Sequence, residues 1–241
     1  MMLDEEDESM QQALPDITRT GSLLTDYDVY LFRQGSHSRL HERMGSHPAV
    51  SAGVQGTFFA VWAPNAAEVS VIGNFNGWKA GSDPLVARSD DSGIWEGFIP
   101  DIGHGALYKY HIKSRYNDYS VEKGDPFANF WEIPPKTASI VWDLAYPWRD
   151  RGWMRCREEQ NSPDGPISIY EVHLGSWRKV PDEENRSLSY REAATELVDY
   201  LLETGFTHVE FLPIMEHPFY ASWGYQTLGY FAPTRRRTGA P

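Results

Sequence analysis

The sequence is short of three features that would each point to a particular class of protein. It has one cysteine, Cys156, among its 241 residues, so no disulfide can form within the chain. No apolar run approaches the roughly 18 residues of a membrane-spanning helix. Residues 1–8 are acidic, whereas a secretory signal begins with basic residues. We therefore expect a cytoplasmic protein with no membrane partner.

Basic side chains are also scarce. Lys and Arg number 22 against 34 Asp and Glu, which gives a net charge of −12. A nucleic-acid partner is therefore not expected, because phosphate binding depends on clustered positive charge. Aromatic residues, in contrast, make up 14% of the chain and include nine Trp. Most should fill cores, and one or two could stack on a sugar ring.

Three histidines lie close together in the sequence and raise the question of a zinc site. His37, His41 and His47 have a spacing that fits no standard zinc motif, and Cys156 lies far away. We interpret them as hydrogen-bonded or solvated side chains and expect no metal and no cofactor.

The first 50 residues contain little hydrophobic periodicity. Residues 1–24 are polar and acidic at their start, which predicts a disordered tail. Residues 25–50 are predicted as a short helical segment, with an apolar turn at Tyr30 and a second helix that ends at Gly45.

Residues 51–148 have the pattern of an immunoglobulin-like β-sandwich. Short apolar or alternating stretches are separated by Gly, Pro, Asn and Asp, and they cover residues 56–62, 68–72, 94–99, 106–112, 119–121 and 139–142. In the loop of residues 73–78, Gly73 and Gly77 would permit positive φ. Residues 149–166, rich in charge, Gly and Pro, are predicted as a linker.

Residues 167–241 predict a βαβ unit. An apolar run at residues 167–174 predicts a strand buried on both faces. Ser189 and Glu192 have capping-box spacing at the start of a helix that Gly205 would end. A second strand is predicted at residues 207–212. One such unit leaves both sheet edges open, so either the chain is the front part of a longer protein, which we favour, or another chain completes the sheet.

Several motifs resemble those of 1,4-alpha-glucan branching enzymes of the alpha-amylase superfamily. They are LHERMGSHP at residues 40–48, FAVWAPNA at 59–66, VIGNFNGW at 71–78, YEVHLGSW at 170–177, FLPIMEHP at 211–218, SWGYQ at 222–226 and GYFAPT at 229–234. The resemblance covers about residues 25–236 and corresponds to the N-terminal half of such an enzyme. It implies a glycogen-binding type sandwich followed by the start of an incomplete (β/α)8 TIM barrel.

The resemblance also implies a chemistry. The family cuts an α-1,4 glucan chain and transfers it to a 6-hydroxyl, with a carboxylate nucleophile and a carboxylic acid about 5 Å apart. In the family these groups follow later barrel strands, and no matching segment is present in this chain. Glu171, Glu210 and Glu216 are interpreted as structural, so no catalytic residue is predicted and the isolated chain should be inactive.

Substrate contacts are the one role that the resemblance assigns to residues of this chain. It places the active-site tyrosine of the family at Tyr225, with Trp223 and Gln226 as neighbours that have a weaker claim. Trp78 is either a sugar-binding platform or a hydrophobic plug against the barrel, with the plug slightly preferred. The expected partner is an α-glucan such as glycogen or amylose.

Two other functions stay open. The chain could be a non-catalytic glucan-binding module with a vestigial barrel start, or part of a debranching or trehalose-releasing relative. After Arg236 the sequence departs from the family pattern, which suggests a truncated or frame-shifted product. We also expect residues 167–241 to be poorly stable, because the apolar faces of the barrel would lack partners.

Overall fold

The computed structural model describes residues 14–19 and 21–237. Of the predicted disordered tail at residues 1–24, residues 1–13 and 20 lie outside the described residues. The rest of this segment differs from the prediction, because it packs on the sandwich. Ile17 and Leu24 are buried, and Ile17 and Pro15 exchange backbone hydrogen bonds of 2.9 Å with Val50.

Among the described residues before position 141, the chain forms ten strands and one α-helix. The helix α1 spans Asp26–Gln34, and a 3₁₀ turn follows at Leu40–Glu42. The strands are β1 (Gly45–Ser51), β2 (Val54–Trp62), β3 (Ala66–Gly73), β4 (Asp83–Pro84), β5 (Val86–Ala87), β6 (Ile94–Pro100), β7 (Leu107–Ser114), β8 (Ser120–Lys123), β9 (Phe130–Trp131) and β10 (Ser139–Ile140).

These strands form two antiparallel sheets, so the predicted all-β sandwich is confirmed. One sheet has the order β1-β2-β6-β5, and the other has the order β4-β3-β7-β10-β9 with β8 paired to β7. The inner face of β2 contributes Phe59 to the core between the sheets, where its ring meets Tyr108 edge-on. The other face carries Phe58, which packs under Ile17 and Leu24. Alternation along β2 therefore fills two core layers.

The sandwich begins earlier than the predicted boundary at residue 51. Residues 45–50, assigned to the helical segment, belong with Ser51 to β1, which pairs antiparallel with β2 from Gly45 to Ser51. Pro48 lies in this strand, and a proline is tolerated there because β1 is at the end of its sheet. The predicted linker at residues 149–166 contains a helix, α2 (Arg151–Gln160), in which no residue is buried.

The predicted βαβ unit is present. It consists of β11 (Ile169–Val172), the helical turn α3 (Leu174–Trp177), a small hairpin of β12 (Lys179–Val180) and β13 (Arg186–Ser187), α4 (Tyr190–Thr204) and β14 (His208–Phe211). Strands β11 and β14 run parallel. Ser189 and Glu192 form the predicted capping box, and Gly205 ends α4 in the left-handed conformation.

The prediction of a strand buried on both faces is wrong. Only the face that α4 covers is buried, through Val172 and Leu197. Ile169 and Phe211 are 53% and 43% exposed, because β11 and β14 form a sheet of only two strands. This two-stranded sheet therefore leaves several apolar side chains of its strands exposed to water.

A second hairpin joins this unit to the sandwich. It pairs β15 (Met215–Glu216) with β16 (Gly229–Pro233). Trp131 and Ala128 of the sandwich pack against Ala232 and Leu228. A side chain at Gly229 would collide with the Trp131 ring, so this close approach requires glycine. Within the described residues, no helix combines the length and the apolar character needed to cross a bilayer.

Candidate functional site

The first candidate surface is built on the loop after β3, which Asn76 holds in shape. The Asn76 side chain accepts a 2.9 Å hydrogen bond from the Gly73 amide. It donates to the Val71 carbonyl at 3.0 Å and to the Asp83 carboxylate at 2.7 Å. These bonds fix the turn that carries Trp78 outward.

The two glycines of this loop act differently. Gly77 has the positive φ that was predicted, and Trp78 follows with a φ of 60°. Gly73 is extended, with a φ of −170°, so its predicted positive φ is wrong. Glycine is nevertheless needed there, because a Cβ atom would collide with the Leu107 carbonyl and the Phe75 ring.

Trp78 borders an open groove of about 470 Å³ on the sandwich. Its side chain is 39% exposed. Two ion pairs, each of one Lys and one Glu, line the same groove. They are Lys109 with Glu122 at 3.9 Å and Lys136 with Glu132 at 3.4 Å. A flat apolar ring beside balanced donors and acceptors can accommodate a neutral polyol. All the lining residues belong to the sandwich, so this groove is separate from residues 167–237.

Lys109 could have been found from the sequence. In β7 the neighbouring residues Tyr108 and Tyr110 are buried, so Lys109 must point to the opposite face. That face contains the groove. The alternation is visible in the sequence, where it predicts the strand at residues 106–112.

The second candidate surface is the loop between β15 and β16, residues 217–228. It brings Trp223, Tyr225 and Gln226 together, all of them exposed, with Tyr225 at 69%. Trp78 is not part of this group. The structure therefore divides the four predicted contact residues between two surfaces.

Three contacts fix the tip of this loop to the βαβ unit. The Trp223 ring stacks on His173 at the end of β11, with 5.4 Å between ring centroids. Gly224 has a φ of 87° and lies so close to the Pro213 carbonyl that a Cβ atom would collide with it. The Tyr220 hydroxyl donates to the Gly175 carbonyl at 3.2 Å. The loop thus presents Tyr225 from a packed base.

Positive charge near this loop affects His173, on which the Trp223 ring stacks. Burial, and next the nearby charge of Arg237, lower the pKa of His173. Among the carboxylates, Glu171 and Glu210 lie opposite each other in β11 and β14 and are exposed. Glu216 is fully buried.

The three N-terminal histidines all have partners in the fold. His37 lies 2.8 Å from the Asp28 carboxylate, and His47 lies 2.9 Å from the Met44 carbonyl. His41 stacks on Phe231 with 5.1 Å between centroids. Within the described residues, no group of three or more His, Cys, Asp or Glu could hold a metal ion.

A buried carboxyl group lies inside the sandwich, away from both surfaces. Asp125 accepts hydrogen bonds from the hydroxyls of Tyr108 and Tyr110, at 2.7 and 3.1 Å, and from the Phe127 amide at 2.8 Å. Burial raises the pKa of Asp125 to about 6, and these hydrogen bonds oppose part of that rise.

Comparison with known proteins supports the resemblance seen in the motifs. Residues 43–128 match carbohydrate-binding module 48 (isoamylase N-terminal domain). The chain is 59% identical over 215 residues to the 1,4-alpha-glucan branching enzyme GlgB of Aquifex aeolicus, covering 89% of this chain and 34% of that protein. It is 52% identical over 227 residues to GlgB of Rubrobacter xylanophilus, covering 94% of this chain and 31% of that protein.

A solved structure is also similar to this chain, at lower identity. A Salmonella typhimurium protein described as a candidate alpha amylase matches 80% of this chain and 28% of its own length, with a TM-score of 0.58 and 25% identity. The chain thus spans about a third of the length of the curated relatives it matches, at 34% and 31%. The predicted resemblance to 1,4-alpha-glucan branching enzymes is confirmed.

Proposed function

Starting from this similarity to the 1,4-alpha-glucan branching enzymes, we propose that the chain supplies glucan-binding surfaces to a branching enzyme. The proposed reaction of the whole enzyme cuts an α-1,4 glucan chain and forms an α-1,6 branch. The observation that carries the proposal is the 59% identity over 89% of this chain. A cytoplasmic location is part of the same proposal.

The parallel pair of β11 and β14 is proposed to be the start of a (β/α)8 barrel. The exposure of Ile169 and Phe211 supports this, since both would be covered by neighbouring strands in a closed barrel. The loop with Tyr225 follows the carboxyl end of β14, the end at which barrel enzymes bind substrate. Tyr225 is therefore proposed to contact the glucan, with Trp223 and Gln226 beside it.

Trp78 is proposed as a second contact, on the sandwich. Its groove is lined by sandwich residues alone, which favours a sugar-binding platform over a plug against the barrel. The catalytic carboxylates of the family have no counterpart among the motifs of this chain. We therefore propose that the chain alone binds α-glucan and does not branch it.

Affinity electrophoresis in gels containing glycogen tests the binding. Trp78→Ala should weaken retardation about five- to tenfold, since loss of one stacked ring removes on the order of 1 kcal/mol. The control is Trp153→Ala, which removes a Trp that is 50% exposed in α2, far along the chain from the groove. Equal retardation of both variants would contradict the role of Trp78.

Short maltooligosaccharides test the second surface by calorimetry. Tyr225→Ala should abolish binding at this loop, whereas Tyr230→Ala should not, although both side chains are 69% exposed. Amylose incubated with the chain and stained with iodine should show no change in colour. A colour shift caused by the purified chain would overturn the proposal that it lacks catalysis.

A further inference from the structure

The buried carboxylate of Glu216 holds both ends of the loop that presents Tyr225. Glu216 is the last residue of β15, and the loop begins at His217. Its Oε1 accepts a 2.9 Å hydrogen bond from the His217 amide. The same oxygen accepts a 3.2 Å bond from the Thr234 hydroxyl, just after β16. The Glu216 side chain therefore connects His217, the first residue of the loop, to Thr234, which follows the strand after the loop.

The second oxygen extends this connection. Glu216 Oε2 accepts a 2.7 Å hydrogen bond from the Arg235 amide. The Glu216 backbone carbonyl accepts a 2.7 Å bond from Leu228, the last residue of the loop. Glu216 is 0% exposed, so its acceptor oxygens are shielded from water, and the bonds from the His217 amide and the Thr234 hydroxyl are buried on both sides. Breaking one leaves a buried donor without a partner, which costs more than the bond itself contributes.

Arg236 completes the arrangement from the opposite side. Its guanidinium donates to the His217 carbonyl at 2.7 Å and to the Pro218 carbonyl at 3.1 Å. The same group lies 3.6 Å from Glu216 Oε1, which balances the buried negative charge. A forked cation that spans two successive carbonyls fixes the direction in which the loop leaves β15.

We propose that Glu216 and Arg236 form a clamp that positions the loop carrying Trp223 and Tyr225 for glucan. Glu216 is thus a positioning residue, and it does not touch the substrate. This proposal rests on the proposed function of the loop for its link to glucan. The clamp itself is a property of the free protein, so the two can be tested separately.

Hydrogen exchange of the whole chain without ligand tests the clamp. In Glu216→Gln, one of the carboxylate acceptors becomes a donor that faces a backbone amide. Exchange in residues 217–228 should then be at least about tenfold faster, as expected for the loss of a buried hydrogen bond. Strands β2, β3 and β6 of the sandwich, which take no part in the cluster of Trp131 and Ala128 with Leu228 and Ala232, should exchange at the wild-type rate. Unchanged exchange in the loop would overturn the clamp.

Matched variants guard against a general loss of folding. Thr234→Val removes only the hydroxyl that reaches Glu216, and Thr234→Ser restores it, so exchange should be fast in the first and return toward wild type in the second. Arg236→Lys keeps the charge but loses the fork and should give an intermediate rate. Glu210→Gln, an exposed carboxylate change on β14, should have no effect. A Thr234→Val rate equal to that of Thr234→Ser would overturn the clamp.

Maltooligosaccharide binding then tests the link to function. Thr234→Val should weaken binding that depends on Tyr225, and Thr234→Ser should recover it, while glycogen retardation that depends on Trp78 stays at the wild-type value. If the wild-type chain shows no binding that depends on Tyr225, the proposed function of the loop fails and the exchange result still decides the clamp. Fast loop exchange with unchanged Tyr225-dependent affinity would overturn the positioning role.

Discussion

The sandwich and the βαβ unit differ in how much of their apolar sequence is buried. Phe59 in the sandwich is 0% exposed, whereas Phe211 in β14 is 43% exposed. Helix α4 nevertheless has its capping box and its glycine stop, as α1 does. Local hydrogen-bonding signals therefore form their structures in both regions, while burial depends on how many neighbouring strands and helices are available.

The largest expected difference between the two regions comes from removing one phenylalanine ring from each. Phe59→Ala should lower the free energy of unfolding of the sandwich by about 3–5 kcal/mol, because it leaves a cavity in a close-packed core. Phe211→Ala should lower that of the βαβ unit by less than about 1 kcal/mol, because much of the ring is already in water. Hydrogen exchange resolved by region, at increasing urea, measures both.

A large loss of unfolding free energy in Phe211→Ala would show that β14 is covered in solution. Sedimentation of the wild-type chain would then identify self-association as the cause. Limited proteolysis adds an independent measure, since cleavage should begin within residues 167–237. Prolonged survival of that part would contradict the difference between the regions.

The next effect is a pH dependence of stability that arises from Asp125 in the sandwich. Because the pKa of Asp125 is raised to about 6 from 3.8, its contribution to stability is fully present below about pH 3.8 and is lost as the pH rises through about 6. The two-unit shift corresponds to about 3 kcal/mol. Asp125→Asn removes this titration. The difference in free energy of unfolding, wild type minus variant, should therefore fall between pH 4 and pH 7.

Urea unfolding of both proteins across this pH range, monitored in the sandwich, gives the difference directly. Because every other titrating group is shared, it cancels in the subtraction. A difference that rises with pH would mean that the fold favours the ionised carboxylate of Asp125, the opposite of what its burial predicts.

Removing the N-terminal cap of either α1 or α4 should have a smaller effect on stability, and the same effect for both helices. The Thr25 hydroxyl accepts a 3.1 Å bond from the Asp28 amide, and the Ser189 hydroxyl accepts a 3.3 Å bond from the Glu192 amide. Thr25→Ala and Ser189→Ala should each cost about 1 kcal/mol. Thr25→Ala should destabilise the sandwich, and Ser189→Ala should destabilise the βαβ unit. Exchange rates of amides in α1 and α4 locate each effect.

The smallest effect is expected at exposed apolar positions. Val86→Thr in β5 and Leu202→Gln in α4 change side chains that are 71% and 75% exposed. Each should alter the free energy of unfolding by no more than about 0.5 kcal/mol. A loss above about 1 kcal/mol for Leu202→Gln alone would indicate that the outer face of α4 packs on something in solution.

The sequence predicted those elements whose signals are local. The capping box at Ser189, the stop at Gly205 and the parallel pairing all follow from spacing and composition. Strand β1 was missed because Gly45 and Pro48 are residues that usually break strands. Pro48 is accepted there because β1 lies at a sheet edge, which only the three-dimensional pairing reveals.

The two candidate surfaces show the same limit. The motifs singled out Trp78 and Tyr225, but not the charged pairs beside Trp78, since Lys109 and Lys136 come from separate parts of the chain. Glu216 was interpreted as structural from its sequence alone. Its carboxylate accepts a hydrogen bond from Thr234, which lies 18 positions further along the chain. Only the folded structure reveals this contact.

The contact between Trp131 and the second hairpin has a consequence for synthesis on the ribosome. Roughly 90 residues separate the end of the sandwich from Ala232, and translation takes about 5–20 s to add them. All-β domains fold in milliseconds to seconds. Trp131 and Ala128 should therefore already form a finished docking surface when Leu228 and Ala232 leave the exit tunnel. The nascent hairpin would thus meet a folded template before the remainder of any barrel has been translated.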